Sequence, residues 1–261
     1  MSRTSPTHTF VICAYKESQY LEECIKSLLS QTVPAKCVIA TSTPNRHIQS
    51  LAKKYHLPYY VRRGKSDIQT DWNFAYNQAD TELVTIAHQD DIYEPEYLQS
   101  ILNNYDKQIL LYNTDYIPYK NGVDAQDSNS KIKRVLKVFT KSKFFAQFRF
   151  FKVMSLAFGN TINCPSVTYN KLLLGDSVFT SELKFGLDWD TFLKIARQKG
   201  ISLYIPRKLV KYRIHDDATT KKFILNNQRQ KEDLIMFNKI WPSWIAKLIM
   251  KVYVKSYDTY K

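Results

Sequence analysis

Two neighbouring carboxylates, Asp90 and Asp91, follow a short apolar segment in the stretch IAHQDDIYEPEYL, residues 86–98. Side-by-side ionised carboxylates repel each other, so ionising both is costly unless a cation lies beside them. Hard divalent cations such as Mg²⁺ and Mn²⁺ prefer oxygen ligands and bridge to phosphates. The pair therefore predicts a divalent-cation site. The open alternative is that Asp91 caps the following helix while Asp90 is simply solvated.

The strands and helices that position these two acids can be predicted from the spacing of apolar residues along the sequence. Short β-rich apolar segments are predicted as strands, and segments with apolar residues at helical spacing lie between them. This alternation predicts βαβ units and a mostly parallel sheet flanked by helices. Ligands of open α/β sheets bind at the carboxyl ends of parallel strands, which is where the two acids fall. The predicted strands are residues 10–15, 37–42, 57–63, 82–88 and 109–119, and the predicted helices are 16–32, 47–56, 71–79 and 94–105.

The second half of the chain continues the α/β pattern with longer interruptions. A polar segment with Gly and Ser, residues 121–134, is predicted as a loop, and the basic, aromatic segment 137–154 as a helix. We expect one α/β domain over residues 1–220 and a helical extension over residues 221–261. Further strands are predicted at residues 164–170, 201–206 and 208–215, and a helix at 188–200 with Gly200 as its C-cap.

The composition is that of a folded protein with a strong positive charge. Of 261 residues, 44% are hydrophobic and 14% are aromatic, which is enough to build a core and excludes global disorder. The net charge of +14 favours anionic partners, namely nucleic acid, anionic lipid or phosphorylated substrates. No RNA- or DNA-binding motif accompanies the charge, and the acidic motifs lie at strand ends, so we expect no nucleic-acid partner.

Cysteine and glycine usage bear on location and on the class of phosphate site. The four cysteines form no CxxC pair, and we interpret them as reduced core thiols of a cytoplasmic protein. The first residues contain no apolar segment of signal-peptide length, and no segment has the roughly 18 uncharged apolar residues of a membrane span. No glycine precedes Gly64, which argues against Rossmann and P-loop phosphate sites and against a pyrophosphorylase.

Five segments in a fixed order resemble glycosyltransferase family 2, whose members have the GT-A nucleotide-sugar-binding fold. The resemblance covers residues 8–220. It implies an inverting transferase that moves a sugar from a nucleotide-diphosphate donor to a hydroxyl of a glycan or lipid-linked acceptor, in bacterial surface polysaccharide assembly. A non-catalytic, GT-A-like nucleotide-sugar-binding protein is the alternative. The segments are FVICAYKESQYLEECIKSLLSQT, DWNFAYNQADTELVTIAHQDDIYEPEYL, GNTINCPSVTYNKLL, FGLDWDTFLKIARQKG and KYRIHDDATT.

By this resemblance, the acidic motif and a late histidine hold Mn²⁺ or Mg²⁺ against the leaving diphosphate, where the cation acts as a Lewis acid. Asp91 is the implied metal ligand, and Asp90 contacts the ribose or assists the metal. His215, in KYRIHDD, is expected to reach the metal or the diphosphate, and its alternative is a structural role. The motif departs from the family's DxD pattern because His88 stands in place of the first Asp.

The resemblance also implies the residues around the nucleotide. Tyr15, at the end of the first strand, is expected to stack on the base, unless it is a core tyrosine. In the family the second strand ends in an acidic DDGS-like turn, whereas here Thr41 and Ser42 can offer only weak hydrogen bonds. Asp67 and Asn73 align with the stretch that lies over the nucleotide, although Asn73 can equally brace its helix. A uridine- or thymidine-diphosphate sugar is the favoured donor.

The base that removes the acceptor proton should be a carboxylate on the side opposite the leaving group. The segment GLDWDTF supplies Asp188 and Asp190 at a helix start, where residues two apart point about 200° apart, so only one can face the site. Asp188 matches the family's Asp and is the favoured base, with Asp190 as the second candidate. Otherwise both acids would serve only to stabilise the helix dipole.

Two basic, aromatic segments remain outside this chemistry. One is KIKRVLKVFTKSKFFAQFRFFKVM, residues 131–154. The other is the final helix, which groups large apolar side chains and repeats lysines at four-residue spacing, as is typical of a helix at a membrane surface. We interpret it as a peripheral membrane contact suited to a lipid-linked acceptor. A helix docked on the catalytic domain and an oligomer contact are the alternatives, and the oligomeric state is left open. The apolar residues are Trp241, Trp244, Ile245, Leu248, Ile249 and Val252, and the lysines are Lys247, Lys251 and Lys255.

Overall fold

The computed structural model describes residues 7–125, 128–215 and 228–254. The strands of these residues form one nine-stranded sheet. The strands are β1 His8–Ala14, β2 Lys36–Thr41, β3 Tyr59–Val61, β4 Leu83–His88, β5 Ile92–Tyr93, β6 Ile109–Lys120, β7 Val123–Asp124, β8 Val167–Asn170 and β9 Ile201–Arg213. The helices are α1 Leu21–Leu29, α2 Arg46–Lys54, α3 Ile68–Asn77, α4 Tyr97–Asn103, α5 Ser128–Leu136, α6 Lys143–Ala146, α7 Arg149–Met154, α8 Lys171–Leu174, α9 Leu187–Ala196, α10 Gln228–Asn238 and α11 Ser243–Tyr253, with 3₁₀ turns at Val138–Lys141 and Cys164–Ser166.

The strands β1, β2 and β4 end at the same level of the sheet. β1 pairs in parallel with β2 on one side and with β4 on the other, and β3 extends the parallel set beyond β2. In this register Cys13 lies opposite both Ala40 and His88. Because parallel strands end at the same edge of a sheet, the loops after β1, β2 and β4 leave it side by side.

The other half of the sheet adds antiparallel neighbours. The strand order is β3-β2-β1-β4-β8-β6-β9-β5, with β7 paired to β6. β8 is antiparallel to both β4 and β6, β9 is parallel to β6, and β5 is antiparallel to β9. The predicted α/β sheet flanked by helices is confirmed, and β8 makes it a mixed sheet.

β9 is one continuous strand where the sequence predicts two. It pairs with β6 on both sides of Pro206, and the register shifts so that Pro206 and Arg207 form a bulge. Proline has no N–H to donate, and a bulge is one of the few places where a strand tolerates it. The strand therefore continues past Pro206 as far as Arg213, which lies beside the end of β4.

The sheet is buried on both faces. Along β1, Phe10 and Ile12 belong to a core shared with α1, α2 and α4, whereas Val11 faces a second core shared with α3, α9, α10 and α11. This alternation follows from the two-residue period of a strand. In the second core the Trp189 ring lies 5.1 Å from Phe237 of α10. The two C-terminal helices are therefore packed into the same core as α9.

Residues 137–154 do not form the single predicted helix. They form a 3₁₀ turn, α6 and α7, separated by Ser142 and Phe148, whose backbones are extended. The predicted loop over residues 121–134 contains β7 and α5. α9 ends at Ala196, four residues before the predicted cap at Gly200. Gly200 instead has φ +130° at the start of β9, where a Cβ atom would lie 2.8 Å from Leu110.

The predicted C-terminal extension is helical where it is described. α10 and α11 account for most of it, and residues 221–227 and 255–261, including Lys255, lie outside the described residues. In the described part of the chain, no helix is both long enough and apolar enough to cross a membrane. The division of the chain at residue 220 stays a prediction.

Candidate functional site

The loop after β4 is fastened to the loop after β1 by a side-chain amide. The backbone N–H of Tyr15 donates to Oε1 of Gln89, and Nε2 of Gln89 donates to the carbonyl of Tyr15, both at 2.9 Å. A carboxylate could not make both bonds, because it has no donor. Gln89 therefore holds the two loops in a fixed relative position at the carboxyl edge of the sheet.

Asp90 is the exposed member of the acidic pair. The Ser18 hydroxyl donates to its Oδ1 at 3.1 Å, and Nε2 of His215 lies 3.4 Å from its Oδ2. The Asp90 side chain is 30% exposed and that of His215 is 16% exposed. The structure thus brings together a carboxylate from the turn after β4 and the predicted late histidine that follows β9.

Asp91 points into the protein. It is 2% exposed, and its Oδ1 accepts a hydrogen bond of 2.8 Å from the backbone N–H of Arg213. Burial raises the pKa of its carboxyl well above the ordinary value, although the bond from Arg213 acts against this. Asp91 does not cap α4, which begins at Tyr97 with Glu96 as its N-cap residue and without a side-chain cap. The geometry favours Asp90 over Asp91 as a metal ligand, and Asp91 instead ties the end of β9 to β4.

Arg213, the last residue of β9, contacts both the segment after β4 and α1. Its Nε donates to the backbone carbonyl of Asp90 at 2.8 Å, and its guanidinium pairs with Glu23. The guanidinium carbon also lies 4.3 Å from the centre of the Tyr20 ring, a cation–π distance. The Tyr20 ring in turn lies 5.2 Å from His215. These contacts hold the imidazole of His215 beside Asp90.

His88 occupies the first position of the acidic motif without supplying a charge. Its imidazole lies 5.2 Å from the Trp72 ring, and burial lowers its pKa to about 4. A neutral imidazole cannot replace a carboxylate as an anionic ligand. His88 is therefore an aromatic neighbour of Trp72 at the end of β4.

Asp90 and His215 fit a cation that is shared with a ligand. The described residues include no cluster of three or more His, Cys, Asp and Glu side chains arranged to hold a metal ion. Mg²⁺ and Mn²⁺ are commonly held by one or two protein ligands together with substrate phosphates and water. One carboxylate and one imidazole facing each other at 3.4 Å match such a partial donor set.

Of the residues predicted around the nucleotide, Tyr15 is open to a ligand, whereas Thr41 and Ser42 make hydrogen bonds within the protein. Tyr15 is 46% exposed and lies at the carboxyl edge of the sheet, so its ring is open to a ligand. Thr41 is buried, and its Oγ1 accepts from the backbone N–H of Thr43, so this hydroxyl shapes the turn after β2. The Ser42 hydroxyl donates to Asp71 at 2.8 Å.

Asp67 and Asn73 make structural contacts. Asp67 is the N-cap of α3, where its Oδ1 accepts from the backbone N–H of Thr70. The Asn73 amide donates to the carbonyl of Phe179 and accepts from its N–H, at 2.6 and 3.1 Å. Asn73 thus braces the segment before α9, which is the alternative that the sequence left open.

The sequence analysis missed Asp71 of α3, which joins the loops after β2 and β3 at this edge. Its carboxylate accepts from Ser42 after β2 and from Ser66, and it pairs with Arg62 after β3, with Nη2 at 2.6 Å. The side chains of Arg62 and Asp71 are only 15% and 12% exposed. No sequence spacing signals the pair, because the sheet brings it together.

Asp188 lies in the first turn of α9, where its carboxyl is held by two hydrogen bonds. Its Oδ2 accepts from the side-chain amide of Asn160 at 2.8 Å, and its Oδ1 accepts from the backbone N–H of Trp189 at 2.7 Å. Burial raises its pKa to about 6, and these hydrogen bonds limit the rise. Such a carboxyl can both accept and hold a proton near neutral pH. Asn160 was overlooked as a site residue, although it lies in the quoted segment GNTINCPSVTYNKLL.

Asp190 lies on the other side of α9 and is held in a buried ion-pair cluster. Its carboxylate is 2% exposed and lies 2.6 Å from Nζ of Lys239 in α10 and 3.0 Å from Nζ of Lys194. Burial opposes ionisation, but the hydrogen bonds from Lys239, Ser181 and Lys194 hold the pKa of Asp190 below its ordinary value. The geometry therefore favours Asp188 over Asp190 as a base.

The charges of Asp91 and Asp188 both act on one buried thiol, that of Cys164. Burial raises the pKa of Cys164, and the negative charges of Asp188 and Asp91 raise it further. Cys164 opens the 3₁₀ turn before β8, so both carboxylates lie within electrostatic reach of the same turn. Asp91, which follows β4, and Asp188, in α9, thus both act on the turn that leads into β8.

The whole architecture matches solved structures that contain nucleotide sugars. Staphylococcus aureus TarS 1–349 in complex with UDP-GlcNAc is 15% identical, with a TM-score of 0.65 over 98% of this chain and 73% of that chain. The mannosyltransferase PcManGT from Pyrobaculum calidifontis, in complex with GDP-Man and Mn²⁺, is 14% identical, with a TM-score of 0.63 over 96% of this chain and 70% of that chain. At such identities the likeness shows the fold alone, and that fold is GT-A.

Sequence comparison gives the family. The model of glycosyl transferase family 2 matches residues 9–166, more than half of the protein, so the chain belongs to glycosyl transferase family 2. Uncharacterised glycosyltransferases of Rickettsia typhi and Rickettsia prowazekii are 25% and 26% identical to it, each over 94% of this chain and 73% of the relative. The predictions of the family and of a glycosyltransferase activity are confirmed.

Proposed function

We propose that the protein is an inverting glycosyltransferase that uses a uridine- or thymidine-diphosphate sugar and a divalent cation. The observation that supports this most directly is the Asp90–His215 pair beyond the end of β4, together with Asp188 at the start of α9, whose carboxyl has a pKa of about 6. A metal-dependent transfer with a single base needs both parts at one edge of the sheet. The solved relatives named above bind UDP-GlcNAc and GDP-Man with the same fold.

Asp90 and His215 hold Mn²⁺ or Mg²⁺ in this proposal, with Asp91 and Arg213 keeping them in place. When bound, the cation supplies Lewis-acid stabilisation of the leaving diphosphate. The exposed ring of Tyr15 stacks on the nucleotide base, and Gln89 keeps that loop in position. Ser42, at the end of β2, lies at the same edge and can hydrogen-bond the base.

Asp188 accepts the proton of the acceptor hydroxyl. As the proton moves to the carboxylate, the acceptor oxygen forms a bond to the anomeric carbon. The bond from that carbon to the diphosphate oxygen breaks, and the nucleoside diphosphate leaves. Attack opposite the leaving group inverts the anomeric configuration. Asn160 and the N–H of Trp189 orient the carboxylate and stabilise its charged form before the transfer.

The acceptor is proposed to be a glycan or a lipid-linked sugar of bacterial surface polysaccharide assembly. The last helix bears on this, because it has two apolar faces. Ala246, Ile249, Met250 and Tyr253 of α11 pack into the second core, and Trp241 donates to the carbonyl of Ala157. On the outer face Trp244, Leu248 and Val252 are exposed beside Lys247 and Lys251. The helix is therefore docked, as one alternative held, and still presents a stripe suited to a peripheral membrane contact.

Calorimetric titration tests the donor site. UDP and dTDP are titrated with and without Mn²⁺ into the wild type, Asp90→Asn and Asp188→Asn. We expect metal-dependent binding in the wild type and Asp188→Asn, and loss of the metal dependence in Asp90→Asn. An unchanged metal dependence in Asp90→Asn would refute the assignment of that carboxylate.

The stereochemistry is tested on donor hydrolysis, with water as the acceptor. Proton NMR of the first sugar released identifies its anomer before mutarotation. An inverted anomer, lost in Asp188→Asn, supports the base assignment. A retained anomer would exclude the single-displacement chemistry.

A further inference from the structure

Six phenylalanine rings form a connected cluster between the 3₁₀ turn at Val138–Lys141 and α7. Neighbouring rings in this set are 5.1–6.5 Å apart between centroids, mostly in edge-to-face arrangements. Such pairs are favourable in themselves. We call this cluster the phenylalanine surface, and it consists of Phe139, Phe144, Phe145, Phe148, Phe150 and Phe151.

The phenylalanine surface is exposed although it is apolar. Phe150 is 66% exposed, Phe144 is 62% and Phe139 is 52%. Isolated exposed apolar side chains are ordinary, but a contiguous group of rings marks an interaction site. The exposed rings pack on one another across the 3₁₀ turn, α6 and α7, so they form one continuous apolar surface.

The charge around these rings has one sign. Between residues 128 and 158 the sequence contains eight Lys and Arg residues and no Asp or Glu. Lys131, Lys141 and Arg149 are exposed, whereas Arg134 and Lys143 reach outside the segment to pair with Asp115 and Asp106. The partner of this surface must therefore be anionic as well as able to accept aromatic rings.

We propose that the phenylalanine surface docks the protein onto an anionic lipid bilayer. Exposed aromatic rings partition into the interfacial region of a bilayer, and basic side chains around them pair with acidic headgroups. A second copy of the chain is disfavoured as the occupant, because a symmetric contact would place the same basic residues of both copies against each other. The surface is distinct from the outer stripe of α11, and it lies on a different segment of the chain.

Two buried lysines fix this surface to the catalytic body. Nζ of Lys152 in α7 donates to the carbonyls of Gln198 and Gly200, each at 2.7 Å, just beyond the end of α9. Nζ of Lys137 lies 3.9 Å from the centre of the Tyr204 ring in β9. The surface is thus joined to the helix whose first turn carries Asp188. Docking would hold Asp188 at a fixed height above the bilayer, a consequence that rests on the proposed function, whereas the docking itself does not.

Vesicle sedimentation of the full-length protein tests the proposal. The vesicles are phosphatidylcholine alone or phosphatidylcholine with phosphatidylglycerol. We expect the wild type to bind the anionic vesicles and to be released by high salt. Phe144→Ser with Phe150→Ser should reduce the partition coefficient by about tenfold or more, because both side chains are exposed in the free protein and lose their insertion. Lys141→Glu with Arg149→Glu should reduce binding to anionic vesicles and weaken its salt dependence.

Matched controls separate this surface from other causes. Trp244→Ser removes a comparably exposed aromatic side chain from α11. Loss of vesicle binding in Trp244→Ser but not in the phenylalanine variant would refute the proposal. Calorimetric UDP binding must be unchanged in the phenylalanine variant, which shows that it is folded. Asp188→Asn should bind vesicles like the wild type, so a failed transferase assignment leaves the docking result readable. Equal vesicle binding of the wild type and the phenylalanine variant would overturn the proposal. So would a wild type that binds no vesicles but forms a dimer that is lost in the phenylalanine variant.

Discussion

At the scale of single residues, Asp90 and Asp91 are adjacent in sequence and opposite in environment. The carboxylate of Asp90 meets Ser18 and His215 at the edge of the site, whereas that of Asp91 is buried against the backbone of Arg213. The two side chains leave the turn after β4 into different surroundings, so one carboxylate can serve a ligand while the next serves the fold. The sequence shows two acids but not which of them faces inward.

The proposed base sets the lower limit of the active pH range. Asp188 accepts a proton only when ionised, and its pKa is about 6. The value of kcat/KM should therefore fall tenfold per pH unit below about pH 6 and level off above it. Asp188→Asn should lower kcat by about 10²- to 10⁴-fold at pH 7.5. A flat profile between pH 5 and pH 7 in the wild type would contradict the role of Asp188.

Asn160 lowers the pKa of Asp188, and the size of this effect can be measured from the pH profile of the enzyme. Its hydrogen bond to Oδ2 of Asp188 favours the ionised carboxylate and so lowers the pKa. Asn160→Ala removes this bond, and the midpoint of the acidic limb should move to higher pH. The measurement is the pH profile of kcat/KM for the two proteins. An unchanged midpoint with reduced activity at all pH values would indicate a structural role only.

The same pKa has a consequence for stability. The pKa of Asp188 is higher in the folded protein, about 6, than its ordinary value of 3.8. Its contribution to stability is therefore fully present below about pH 4 and is lost as the pH rises through 6. Asp188→Asn should raise the urea midpoint relative to the wild type at pH 7.5 and leave it nearly unchanged at pH 4. A difference of the same size at both pH values would contradict the assignment of this pKa.

At the scale of elements, the end of β9 depends on Asp91. Asp91→Ala leaves the buried N–H of Arg213 without its acceptor, which should lower the free energy of unfolding by about 1–3 kcal/mol. Asp90→Ala is the matched control, because this side chain is partly exposed and lies one residue away. Urea denaturation should show a clear loss only for Asp91→Ala, while Mn²⁺-dependent UDP binding should be lost already in Asp90→Ala. Equal stability losses would argue against the division of roles.

The elements that the sequence predicted well are those with a clean period. β1, β2, β4 and α1 follow from apolar alternation or helical spacing, and their parallel order puts the acidic motif at the correct edge. Residues 137–154 were mispredicted because dense aromatic residues give no usable period, and exposed rings imitate a buried face. β9 was divided at Pro206 because a bulge that accommodates proline depends on the partner strand. The Arg62–Asp71 pair and the Asp188–Asn160 bond depend on tertiary contacts, which local spacing does not encode.

At the scale of the whole molecule, the two C-terminal helices pack into the second core beside α9. Phe237 of α10 is fully buried, with its ring 5.1 Å from Trp189 and 5.2 Å from Tyr253, and Lys239 neutralises Asp190. Phe237→Ala should lower the free energy of unfolding by about 3–5 kcal/mol. Trp244→Ala, on the exposed face of α11, is the control and should change it little. A small effect of Phe237→Ala in urea denaturation would mean that the tail is a separable extension.

The hydrogen bond between Asp91 and Arg213 joins two segments that are synthesised at different times. Its two ends are 122 residues apart, and His215 follows only after β9 has paired with β6. Contacts of such long sequence separation form late in folding, because the closure of the intervening loop must come first. During synthesis the chain emerges from its N-terminus, so β1, β2 and β4 can assemble while His215 is still absent. A nascent or prematurely terminated chain would therefore contain the edge that we propose for the nucleotide but would lack His215 of the proposed cation pair. Such a chain is expected to show no metal-dependent binding of a nucleoside diphosphate.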